Sequence, residues 1–208
     1  MSSKWKLTND EYEFIKGEVI HVFELYDIKG IPVNGFEIAI KMGITLRPYS
    51  SLSKKKLKAA LKESQDGLYG EYDGKEYIFY NDIDRCYERQ NMTILHEIGH
   101  CVLDHTGHSE HEEDEANFFA KYAIAPPVLV DKIGAECPED IYNAFDISYE
   151  AAVYAYDYYL SWKRLRIPLK RNSLAAIAVR LSAPNGKFCI NQDYACSFRS
   201  VQGGTPCV

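Results

Sequence analysis

His96-Glu97-Ile98-Gly99-His100 is the stretch whose residue types and spacing can do chemistry. Histidines at i and i+4 stand about 40° apart around a helix, one turn above each other, so both imidazoles reach one metal ion. Glu97 lies beside the first of them and can act on water without being a ligand. Zinc held by such a pair lowers the pKa of water toward ~7, and the carboxylate takes the proton as the water attacks a carbonyl. The pattern thus sets two ligands and one base on a single rigid turn. Thr93-Ile94-Leu95 before it, and Ile98, Cys101 and Val102 around it, supply an apolar frame. A mid-helix glycine costs about 1 kcal/mol relative to alanine, so Gly99 calls for the close approach of another backbone.

A catalytic zinc takes a third protein ligand. The metzincin extension would place Gly at 103 and His at 106; Leu103 and Thr106 stand there, which excludes it. The acids of the next helix are the alternative. Glu115 falls on or near one face with Phe118, Phe119 and Tyr122, which makes it the acid best placed where that helix meets the core. Glu112, one turn earlier on the same side, competes with it. Glu110, Glu113 and Asp114 are expected only to complement the helix dipole. His105, five positions after His100, points about 140° away on a helix and is expected at the surface or behind a ligand. Asp104 reads as an exposed helix position, and Asn117 as a residue able to orient a ligand. His108 and His111 fall near the inter-helix turn, where they could take up adventitious metal. Tyrosines that could donate to an oxyanion abound, but the sequence singles none out; Tyr154, Tyr156, Tyr158 and Tyr159 read as packing at the core rim.

These residues need elements to hold them. Thr8 and Glu11 form a capping box before Phe14, Ile15, Val19, Val22, Phe23 and Tyr26 at helical spacing. Asn34 and Glu37 open a short helix that stops at Gly43, followed by a strand, Ile44-Thr45-Leu46-Arg47, limited by Pro48. A lysine-rich helix is expected over about 53–64. Two aromatic runs within Leu68–Tyr80 flank Asp73-Gly74, the composition of a type I′ hairpin. A helix over about 84–105, with Gly107 as its C-cap, carries the histidines. Ser109 and Glu112 cap the next helix, which Pro126-Pro127 stops. Further helices are expected at Val128–Ile133, Pro138–Phe145 and, after Ser148, Tyr149–Leu165.

With 208 residues, 46% hydrophobic and 26% charged, the chain suits one domain able to bury a core without disulfides. A net charge of −6 disfavours electrostatic nucleic-acid binding. The runs Lys54-Lys55-Lys56-Leu57-Lys58 and Lys163-Arg164-Leu165-Arg166 therefore read as solvated faces. No apolar run spans a membrane and no signal peptide opens the chain, so a cytoplasmic location with reduced thiols is expected. Cys189, Cys196 and Cys207 lack metal-ligand spacing, and the HxE and PCxxC elements of zinc deaminases are missing.

Arg89-Gln90-x-x-Thr93-x-x-His96-Glu97-Ile98-Gly99-His100, then Glu115-Ala116-Asn117-x-Phe119-Ala120 and Pro126, resembles the ImmA/IrrE family of metallopeptidases. Phe145-Asp146-Ile147-Ser148-x-Glu150-Ala151-Ala152 is similar to that family's F-x-V-S-x-E-A-A segment, so the likeness covers about residues 10–165. It implies an α+β fold, mainly helical with a small mixed sheet, and a thermolysin-like (gluzincin-type) zinc site on two helices. His96, His100 and Glu115 would be the ligands and Glu97 the base. The implied partner is a protein substrate, a helix-turn-helix repressor of a prophage, another mobile element or a stress regulon. Residues 1–181 would form the peptidase domain and 182–208 a C-terminal extension. Such a substrate would lie between the hairpin edge and the histidine helix, adding a strand there. Two other functions use the same residues: a repressor-binding protein that does not cut, and a zinc hydrolase acting on a non-peptide amide.

Overall fold

Capping residues and apolar periodicity set the elements seen in the computed structural model, which describes residues 7–107 and 109–165. The expected domain boundary near 181, the extension 182–208 with its three cysteines, and His108 lie outside the described residues. Thr8 and Glu11 make the expected capping box at the start of α1 (Asn9–Leu25), which buries Ile15, Val19, Val22 and Phe23. Asn34 accepts from the N–H groups of Phe36 and Glu37 to start α2 (Gly35–Met42), and Gly43, at φ 84°, ends it. β1 (Thr45–Pro48) and a single 3-10 turn (Tyr49–Ser51) lead to α3 (Lys54–Glu63). No residue of α3 is buried, and all its lysines are exposed, as a solvated face requires.

β2 (Gly67–Tyr72) and β3 (Lys75–Tyr80) form the aromatic hairpin. Asp73 and Gly74 both have positive φ, 54° and 66°, which is the type I′ turn that matches strand twist. The sheet order is β1-β3-β2, with β1 parallel and β2 antiparallel to β3, so the fold is α+β with a mixed three-stranded sheet. β2 is an edge strand.

The helix carrying the histidines, α4 (Tyr87–Val102), starts three residues later than about 84. Its expected end is also corrected. Leu103 is the C-cap and Asp104, at φ 55°, turns the chain, whereas Gly107, in the loop that follows, donates its N–H to Glu112 Oε1 of the next helix. A short aspartate tolerates the left-handed conformation that the reversal needs. α5 (Glu110–Ile124) begins with the Ser109–Glu112 capping box. α6 (Pro127–Lys132), α7 (Pro138–Phe145) and α8 (Tyr149–Leu165) complete the described chain. Ser148 accepts from the Ala151 N–H at the start of α8. On α8, Tyr159 is buried and donates to Asp131, while Tyr154 and Tyr158 stay partly exposed.

α4 lies at the centre. Ile94, Leu95 and Ile98 are wholly buried among Ile15 and Val19 of α1, Ile38 of α2, Ile78 of β3 and Phe119 of α5. Among the described residues, no helix is long and apolar enough to cross a membrane.

Candidate metal centre

Three neighbours hold α4 in place. Arg85, just before α4, and Arg89 in its first turn both hold Asp66, just before β2; the Arg85 Nε–Asp66 Oδ1 distance is 2.6 Å. The hydrogen bond from Arg89, then that from Arg85, keeps the Asp66 carboxyl below the usual range despite partial burial. One turn on, buried Asn91 accepts from the Gly35 N–H at 2.6 Å and donates to the Val33 carbonyl at 3.0 Å, which ties α4 to the start of α2. At the turn that carries the two histidines, a Cβ on Gly99 would stand 3.2 Å from Ala116 Cα and 3.2 Å from Phe119 Cβ. Gly99 thus has the close backbone approach expected of it, and this contact sets α5 against α4.

That approach brings a carboxylate to the histidines. His96 Nε2 and His100 Nε2 are 3.0 Å apart, and Glu113 lies 3.3 Å from the first and 3.4 Å from the second. Ligand atoms held ~2.0–2.1 Å from a tetrahedral zinc are about 3.3 Å from one another. The spacing and chemistry of His96, His100 and Glu113 therefore fit a metal ion, and the three form one of two such groups among the described residues.

Glu115, expected as the third ligand, is placed elsewhere. Its Oε2 is 3.0 Å from His105 Nε2, and its Oε1 is 3.8 Å from His111 Nε2. Glu113 and Glu115 stand about 160° apart around α5. Glu113 shares its stripe with Ala116 and Ala120, whose small side chains let α5 meet Gly99; Glu115 does not. The competitor Glu112 is taken up by the cap: it accepts from the N–H and hydroxyl of Ser109 and from the Gly107 N–H, which hold its carboxyl down at about 2. The dipole role expected of Glu113 omitted its position on the stripe that touches α4. The signal was present in the sequence as Gly99 and Ala116, two small residues through which helices can meet.

Glu97 is held against β2 and is 7% exposed. Burial pushes its carboxyl up to about 7, against the pull of His96 and of a hydrogen bond from the Tyr69 N–H. In a two-residue hairpin the pair flanking the turn, Tyr72 and Lys75, is hydrogen-bonded, so Tyr69 aims its backbone groups away from β3. Tyr69 spends its phenol on Glu76, at 2.6 Å, and Cys101 Sγ donates to the same carboxylate at 3.3 Å. Gly67 allows β2 to come this close: a Cβ there would lie 2.5 Å from Thr93 Cγ2.

His105 is the residue whose place the sequence left open between surface and support. Its side chain is 6% exposed and its Nδ1 is 2.9 Å from His100 Nδ1, so it stands behind that ring. Asp104 is exposed, as expected. The second group that could hold a metal, Glu11, His111 and Glu115, joins α1 to α5. There Glu11 already accepts from the N–H and hydroxyl of Thr8, and Glu115 already faces His105.

No family model and no curated protein matches the chain, so its likeness to the ImmA/IrrE enzymes rests on the motif residues themselves.

Proposed function

We propose that the protein is a zinc-dependent endopeptidase, with a thermolysin-like (gluzincin-type) site in which His96, His100 and Glu113 hold the ion and Glu97 is the base. One observation carries this reading: two imidazole nitrogens and a carboxylate converge at 3.0, 3.3 and 3.4 Å, with a buried glutamate next in sequence to the first imidazole. Zinc there would supply Lewis-acid chemistry to a scissile carbonyl and to the attacking water. Glu97 takes the proton from that water and delivers it to the leaving amine, while the Tyr69 N–H steadies the carboxylate. The free edge of β2 runs beside this glutamate, which suits a substrate bound as an added extended strand. A protein segment able to unfold locally meets that requirement. The motif likeness points to a cytoplasmic helix-turn-helix repressor as the substrate.

The test is metal analysis together with incubation against helix-turn-helix repressors, run beside Glu97→Gln. That variant is expected to bind zinc like the parent and to leave the repressor intact. Full cleavage by Glu97→Gln would overturn the mechanism.

A further inference from the structure

We propose that Glu115 and His105 are positioning residues that fix the proton of His100 on Nδ1, leaving its Nε2 lone pair for the metal. The inference rests on the zinc-site reading above. It begins with the carboxylate. Glu115 Oε2 is 3.0 Å from His105 Nε2, and an ionised carboxylate can only accept, so the His105 proton belongs on Nε2. A neutral imidazole protonated there offers Nδ1 as an acceptor. His105 Nδ1 is 2.9 Å from His100 Nδ1, and the proton between them must then come from His100. With its proton on Nδ1, His100 presents an unprotonated Nε2, the atom that faces His96 and Glu113. The opposite tautomer of His100 would set two lone pairs against each other across 2.9 Å. A second-row carboxylate therefore selects, through two rings, which nitrogen of His100 can ligate.

The fold is arranged for this relay. The left-handed turn at Asp104 ends α4 and brings His105 back over the ring five residues before it. Glu115 is delivered from α5 on the side away from Glu113, so one helix supplies both the third ligand and the remote acceptor.

The test uses the whole protein with zinc alone as the probe. Ring-nitrogen NMR of the metal-free protein should show His105 protonated on Nε2 and bare on Nδ1. In a chelator competition, His105→Phe should weaken zinc binding roughly 10–100-fold. His105→Asn, whose amide oxygen can accept from His100 Nδ1, should recover most of that loss. Circular dichroism establishes that both variants are folded. A proton on His105 Nδ1, or zinc binding by His105→Phe as tight as the parent's, would overturn the inference and leave the zinc site standing. So would an equal loss in two folded variants, since the role would then be packing alone. A parent protein without zinc affinity would instead bring down the proposed function, and this inference with it.

Discussion

Gly67→Ala probes the contact that seats β2 on α4. The new Cβ would lie 2.5 Å from Thr93 Cγ2 and 2.8 Å from the Phe79 carbonyl oxygen. Carbon pairs settle at about 3.5–4.0 Å, so the methyl is about 1 Å too close to Thr93. The threonine can turn about χ1, but the Phe79 carbonyl belongs to the paired strand, where Phe79 faces Leu68. Overpacking of this kind costs about 1–3 kcal/mol. Removing a glycine from a strand returns about 0.5–1 kcal/mol through the unfolded chain. The net loss then lies between about 0 and 2.5 kcal/mol, and its midpoint of about 1.2 kcal/mol lowers Tm by roughly 2–5 °C at this chain length. Thermal unfolding followed by circular dichroism reads it. Adding Thr93→Ser removes Cγ2 and should recover part of the loss, but not all, because the Phe79 contact remains. The strand shift also carries Tyr69, whose N–H holds Glu97, so under the proposed peptidase function cleavage should fall by more than the folded fraction. A Gly67→Ala protein that melts at or above the parent temperature, or one indifferent to Thr93→Ser, would refute this account of the seat.

On the proposed zinc site Glu113→Ala removes a ligand and Glu115→Ala a support, so the first should cost more zinc affinity; the reverse ranking in a chelator competition would return the ligand to Glu115. Asn91→Ala should destabilise by about 1–3 kcal/mol for each of the two buried backbone groups it abandons, at Gly35 and Val33, measured by denaturant unfolding. Glu112→Gln tests the cap through pH. The Glu112 carboxyl is held at about 2 in the fold and returns to the ordinary range on unfolding, so its contribution is present above pH ~4.5 and is lost as pH falls toward about 2. The stability gap between parent and variant should therefore be full at pH 7 and close between about pH 5 and 2. A gap independent of pH would show that the cap does not act through the charge.

Local rules made much of this protein readable from its residues. Three capping signatures, at Thr8, Asn34 and Ser109, place helix starts because they satisfy backbone N–H groups within a few residues. Asp73-Gly74 marks the hairpin because both positions need positive φ. His96 and His100 share a face by helical geometry alone, and Gly99 announces a close neighbour without naming it. Helix arithmetic left His105 between surface and support, since the reversal at Asp104 takes it off the helix whose angle it counts and sets it behind His100. Gly67 and Asn91 carry no local signature, because what they serve lies on Thr93, Phe79, Gly35 and Val33, remote in sequence or across an element boundary.

The histidine pair, the glutamate beside it and the helix that aligns all three are readable from residue order and helical geometry. Which of the acids on α5 meets them is a matter of packing, because it depends on the rotation of one helix against another. Gly99 and Ala116 set that rotation, and it turns Glu113 toward the histidine pair while leaving Glu115 to hold His105 from behind.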